Sequence, residues 1–203
     1  MEGRAMVDPS TLPDPRWARW SGATGLVALG SYIALMAFDA PPPVQALLVF
    51  GFTFGLVVAS IGLHLGVTAA VAPRLSLLAA VSNAVAVAEL AGMLLVQMAV
   101  KQAVEKPDVA LTAVWLGLDV AWDLFIGAGT TLFGLALWRH ARFRPVTAGA
   151  GIAAGLVLLV LNIATFPIPP GEAGLFDAGP LVGLWYLFLS VRVLLVARRA
   201  VTA

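Results

Sequence analysis

An all-α bundle of six membrane-crossing helices is the fold class this sequence predicts, and three observations predict it. The chain of 203 residues is 61% hydrophobic and only 11% charged, against roughly 25% charged residues in a soluble domain of ordinary composition. Its apolar residues fall into six runs of about 20 residues or more, the length that crosses a hydrocarbon core of about 30 Å. Between the runs stand prolines, glycines and charges, and the arginines collect in alternate loops.

Residues 1–19 are polar, contain Pro9, Pro13 and Pro15, and lack a cationic segment running directly into a short apolar core. They read as a cytoplasmic tail and not as a cleavable signal. Residues 20–197 form the transmembrane domain. The first run, 20–38, stops at Asp39-Ala40-Pro41-Pro42-Pro43, where ring closure removes helix donors. The second, 44–71, ends at Pro73-Arg74, and the third, 76–100, at the charged segment 101–108. The fourth, 109–138, gives way to the arginine-rich segment 139–145. The fifth, 146–167, runs into a proline- and glycine-rich loop, 168–178. The sixth, 179–197, leaves residues 198–203 as a second cytoplasmic tail.

Charge orients the spans. Alternating the loops puts Arg4, Arg16, Arg19, Arg74, Arg139, Arg142, Arg144, Arg198 and Arg199 on one side. Lys101 and Lys106 fall on the other, with Asp39, Glu105, Asp108, Glu172 and Asp177. The positive-inside rule makes the arginine side cytoplasmic and both termini internal, with Trp17, Trp20 and Trp138 as interfacial anchors. Arginine outnumbers lysine, and Ala, Val, Leu and Gly dominate, a pattern of a bacterial chain from a GC-rich genome, hence the inner membrane. Small residues four apart let helix backbones approach closely in lipid. Gly51, Gly55, Gly62 and Gly66 fall near one face of the second helix, and Gly151 and Gly155 on the fifth. Packing within the monomer is preferred to a homo-oligomeric interface, with the second helix at the centre.

The residues that carry chemistry are acids in the wrong solvent. Glu89, Asp119 and Asp123 lie inside apolar runs, where a charge costs at least about 2.5–3.5 kcal/mol and marks a candidate site. At the helical rise, Asp119 is about 17 Å from the outer end of the fourth helix and Glu89 about 18 Å from that of the third. The two acids thus share a level, and Asp123 is one turn further in. Asn162 on the fifth helix falls toward the same half. On the fourth helix Trp115, Asp119, Trp122, Asp123, Ile126, Thr130 and Phe133 form one stripe. Carboxylates beside indole faces suit a cation, each cation–π contact contributing about 0.5–2 kcal/mol. The competing reading has the tryptophans filling a groove and the protonated acids bonded to neighbouring helices as polar glue. A second polar layer, nearer the cytoplasm, comprises His64, Asn83 and Thr130. Arg192 lies close enough to the inner end to snorkel there as an anchor.

Several function classes fall away. No basic patch suits a nucleic acid, and the absence of Cys excludes disulfides, thiolate-bound metals and a cysteine nucleophile. His64 and His140 are the only histidines, the second in a loop, so a bis-histidine haem is excluded and no metal site is assigned. With no lysine in the core, the acids are protonated, neutralised by a cation, or reached by water. The expected role is binding or moving a small cation, proton or amphipathic amine. The alternatives are a membrane enzyme acting on a lipid or isoprenoid with the same acids as general acid and base, which a lateral opening toward lipid would favour, and a structural or partner-binding subunit.

The run Gly179-Pro180-Leu181-Val182-Gly183-Leu184-Trp185 resembles the start of the last helix in some bacterial inner-membrane families of about six helices. The resemblance, over most of the chain, implies their architecture of short loops around a small polar core. Those families are of unknown function, so it implies no catalytic or binding residue. The topology itself is testable: reporter fusions after Lys106 and after Arg142 should report the outside and the inside respectively, and the reverse would invert every depth given above.

Overall fold

The structure, a computed structural model, describes residues 11–103 and 109–202. Arg4, Glu105, Lys106 and Asp108, and most of the N-terminal tail, lie outside the described residues. The chain forms α1 (Pro15–Ala37), α2 (Pro42–Leu63) continuing into a π-helical turn (His64–Thr68), α3 (Pro73–Ala103), α4 (Val109–Trp138), α5 (Val146–Thr165) and α6 (Gly179–Thr202). All six are long and apolar enough to cross a membrane, and the described residues contain no strand. Large apolar side chains such as Leu47, Phe54, Leu95, Val160 and Ile163 are exposed around the outside, the surface that lipid requires and water penalises.

The helix ends have local causes. α1 begins before the expected Trp20 because Asp14 caps it: its carboxylate accepts from the Arg16 and Trp17 backbone N–H groups at 2.8 and 3.3 Å, with Pro15 in the first turn. Arg16 and Arg19 therefore belong to a helix and not to a tail. α6 likewise runs on past Ala197 to Thr202. At its start, Asp177 accepts from the Gly179 N–H at 2.8 Å, where Pro180 has no N–H to offer.

Consecutive helices are antiparallel, and α6 returns to α1, closing a ring. Close approach sets the tightest joints. The four glycines of α2 and its π-helical turn all face α1: Gly51 meets Ser31, Gly55 meets Thr24 and Ala28, Gly62 meets Trp17 and Ser21, and Gly66 meets Trp17 and Ala18. The stripe thus packs within the monomer, against one neighbour. A flank of α2 with Phe50 and Phe54 is exposed, while the side away from the glycines, with Val49, Leu56 and Ser60, is buried, and α2 with its π-helical turn is the most buried of the six spans. On α5 Gly151 and Gly155 serve different partners: Gly151 makes room for the Trp185 ring of α6, and Gly155 lies on Gly127 and Thr131 of α4. The Trp185 indole N–H donates to the Thr147 carbonyl at 2.8 Å, fixing α6 to α5.

Halfway along the bundle, a buried polar knot joins four helices. Asn83 of α3 donates from Nδ2 to Ser60 Oγ of α2 (2.9 Å) and to Tyr186 Oη of α6 (2.6 Å). Thr130 of α4 donates to the same tyrosine hydroxyl at 3.3 Å. The two ends of the bundle differ in charge. One carries the arginines, with Trp17, Trp20 and Trp138 exposed beside them; the other carries Asp39, Lys101, Glu172 and Asp177. They are called here the arginine end and the acidic end. At the acidic end Lys101 pairs with Asp39 at 3.3 Å, both exposed. At the arginine end Arg192 does more than snorkel: it donates from Nη2 to the Arg142 carbonyl at 2.7 Å, tying α6 to the α4–α5 loop. His140 of that loop is fully buried, edge-on to Phe143 at 4.9 Å.

These contacts predict opposite effects for two glycine substitutions, measured by thermal melting in detergent. A Cβ on Gly66 would overlap the backbone of Trp17 and Ala18, so Gly66→Ala should destabilise by about 1–3 kcal/mol. A Cβ on Gly117 would meet nothing within 4 Å, so Gly117→Ala should be neutral or stabilise by up to about 1 kcal/mol.

Candidate functional site

Toward the acidic end the ring is not filled. A cavity of about 640 Å³ lies there, lined by α1, α2, α3, α4, α6 and the α5–α6 loop. Helix α4 supplies Asp119, Trp122, Asp123 and Ile126 to its wall. Their spacing is the reason: Asp119, Trp122, Asp123 and Ile126 fall within one helical stripe, and below Ile126 the same stripe turns into packed core at Thr130 and Phe133. Asp119 is half-buried and Asp123 only 6% exposed. An aromatic wall faces them. Tyr32 packs on Phe52 with ring centroids 5.0 Å apart, and Phe52 meets Trp122 edge-on at 6.2 Å, so α1, α2 and α4 join through aromatic contacts. Tyr186, the hydroxyl of the polar knot, lines the cavity as well.

Asp123 is held from behind. Asn162 of α5 donates from Nδ2 to the Asp123 carboxylate at 2.9 Å and to the Leu158 carbonyl at 3.0 Å. Its own Oδ1 is buried and has no hydrogen-bond partner among the described residues. The site therefore offers two carboxyl groups, one of them held by a carboxamide in the layer behind it. Among the described residues, no lysine or arginine lines the cavity. Its other charges, Glu172 and Asp177 in the α5–α6 loop, are negative and exposed.

The expected site residues divide into three groups. Asp119, Trp122 and Asp123 come together on the cavity wall, and Asn162 stands behind Asp123. Glu89 and Trp115 do not line it. Glu89 is half-buried on α3, one step of about 100° off the stripe of Leu90, Met93, Leu94 and Gln97 that does face the cavity. Trp115 lies one turn before Asp119, where it packs against the hydrophobic core. The pocket expected on α3, α4 and α5 is instead bounded by five helices, with α5 contributing only from the second layer. Asn83 and Thr130 do meet, in the polar knot under the cavity; His64 does not join them. Its Nδ1 is 2.8 Å from Ser76 Oγ, which itself donates to the Ala72 carbonyl at 2.9 Å. Tyr32, Phe52 and Tyr186 are the wall residues that spacing alone does not single out. Each is an aromatic inside an apolar run and reads as ordinary packing.

Compared with family models, curated proteins and solved structures, the chain matches none. What the structure shows of the expected resemblance is the architecture alone, an all-helical bundle of six apolar helices.

The Asn162–Asp123 bond yields a paired prediction in thermal melts. Asn162→Ala leaves a buried carboxyl without its donor and should cost about 1–3 kcal/mol. Asp123→Asn keeps an oxygen to accept the Asn162 bond and should cost measurably less. Equal losses would mean that the bond does not hold this wall of the cavity.

Proposed function

We propose that this chain is an integral membrane protein of the bacterial inner membrane that binds or moves a small cation, above all an organic amine, in its acidic-end cavity. One observation carries the proposal: Asp119 and Asp123 stand one turn apart in the wall of a largely apolar cavity to which, among the described residues, no basic side chain contributes. Burying a charge without a partner is costly, and a bound ammonium, with its single positive charge between the two carboxyl groups, offsets that cost. The aromatic wall of Tyr32, Phe52 and Trp122 adds attraction for an alkylated cation through its ring faces. Asn162, bonded to Asp123 from behind, holds that carboxyl in place on the wall. By the positive-inside rule the arginine end is cytoplasmic, so the cavity belongs to the outer half of the membrane and both termini lie inside.

A second reading has a specific observation in its favour. Ile33 and Leu184 line the cavity and are both more than half exposed, as an opening toward lipid for an enzyme drawing on a membrane lipid or isoprenoid requires. Asp119 and Asp123 would then act as general acid and base. Chemical change in a lipid extract incubated with the protein, lost in Asp119→Asn, would favour this reading.

Binding is tested by thermal melting of the purified protein in a non-ionic detergent, with tetramethylammonium and a series of alkylammonium salts. A ligand present at a hundredfold excess over its dissociation constant should stabilise by about 2.7 kcal/mol. The shift should vanish in Asp119→Asn and in Asp123→Asn and persist in Glu89→Gln. No shift with any amine, or an undiminished shift in both aspartate variants, would defeat the proposal.

A further inference from the structure

We infer that the cavity is loaded sideways from the lipid phase, through a gap between α1 and α6, and that its ligand is a single-chain cationic amphiphile. This rests on the amine-binding reading above and adds the route and the ligand class. The two helices touch along one stripe of each. On α1 the stripe runs Gly22, Gly25, Leu29, Ile33, Met36 at helical spacing. On α6 it runs Leu194, Ser190, Leu187, Gly183. At the arginine end the stripes are in contact: a Cβ on Gly22 would run into Leu194 and the Ser190 carbonyl, and one on Gly25 into the Ser190 side chain.

Toward the acidic end the same stripes separate. The register that puts Gly25 opposite Ser190 puts Ile33 level with Val182 and Gly183. Yet a Cβ on Gly183 would meet nothing within 4 Å. Ile33 and Met36 are 58% and 60% exposed, Leu184 on the rim of α6 is 62% exposed, and all three line the cavity. A residue that is both cavity wall and outer surface marks a place where the wall is open. The rim is wholly apolar, so it faces hydrocarbon at no cost but repels a hydrated ion. Ile33 is about 6 Å of helical rise from the end of α1, the depth at which an amphiphile keeps its headgroup. Asp119 and Asp123 lie deeper, across the cavity on α4.

The rim thus suits an alkyl tail left in the bilayer while the cationic head reaches the acids. The α5–α6 loop spans the other approach, with Pro169 and Pro170 buried against the cavity and internal bonds from Ala173 to Pro169 and from Leu175 to Pro170. Its exposed Glu172 and Asp177 would serve a water-borne cation instead, which is the alternative outcome of the test.

The chain has no cysteine, so one introduced thiol can be blocked selectively. Gly183→Cys in lipid nanodiscs is compared before and after coupling to a bulky methanethiosulfonate, and again after release by dithiothreitol. Binding of dodecyltrimethylammonium and of tetramethylammonium is measured in each state, with Asp119→Asn alongside. Blocking should weaken the dodecyl compound at least tenfold, reversibly, and change the tetramethyl compound by less than twofold. If blocking changes neither, or weakens both alike, the lateral route is wrong, while loss of binding in Asp119→Asn would still uphold the amine site. If neither compound binds before blocking, the amine-binding reading itself fails, and the inference with it.

Discussion

The hydroxyl of Tyr186 sits where the bundle closes. It receives hydrogen bonds from Asn83 and Thr130, and Asn83 reaches on to Ser60, so four helices meet at one polar point. In an apolar surround such groups are held to their partners, because each unmade bond leaves a desolvated dipole. Below this point α1 and α6 are in close contact; above it they part, and the space between the helices becomes the cavity. Tyr186 belongs to both regions, since its ring lines the cavity that its hydroxyl helps to floor.

Glycine placement does the complementary work. On α2 and its π-helical turn the glycines let α1 approach closely from Ser31 down to Trp17. On α1 the glycines that receive α6, Gly22 and Gly25, occur only in the first half. Where they stop, bulky Leu29, Ile33 and Met36 follow on the same stripe. The bundle is therefore tightly joined at the arginine end and splayed at the acidic end. The cavity follows from that gradient in side-chain size, with Asp119 and Asp123 on its far wall.

The six spans were legible because run length and loop chemistry are local properties, and the α4 boundaries coincide with the expected ones at Val109 and Trp138. The α1 start was missed because a Pro-Asp-Pro cap looks like tail composition until Asp14 is seen bonding Arg16 and Trp17. In the site, the stripe on α4 was legible as one helical face. Which helices oppose that face was not, since depth along an axis fixes level and leaves rotation free. Glu89 illustrates the limit. Its level matches Asp119, but a single residue step turns it off the cavity-facing stripe of α3. Tyr32 and Phe52 were silent for another reason: an aromatic in an apolar run looks the same whether it packs a core or walls a ligand site.

The claim that most needs a direct test is that two particular carboxyl groups, and not the third, meet the ligand. Infrared difference spectroscopy of the membrane-reconstituted protein reads carboxyl bands on adding tetramethylammonium. The account predicts a carboxyl difference signal that is removed in the Asp119→Asn, Asp123→Asn double variant and unchanged in Glu89→Gln. A signal that survives the double variant, or one that disappears with Glu89→Gln, would contradict it.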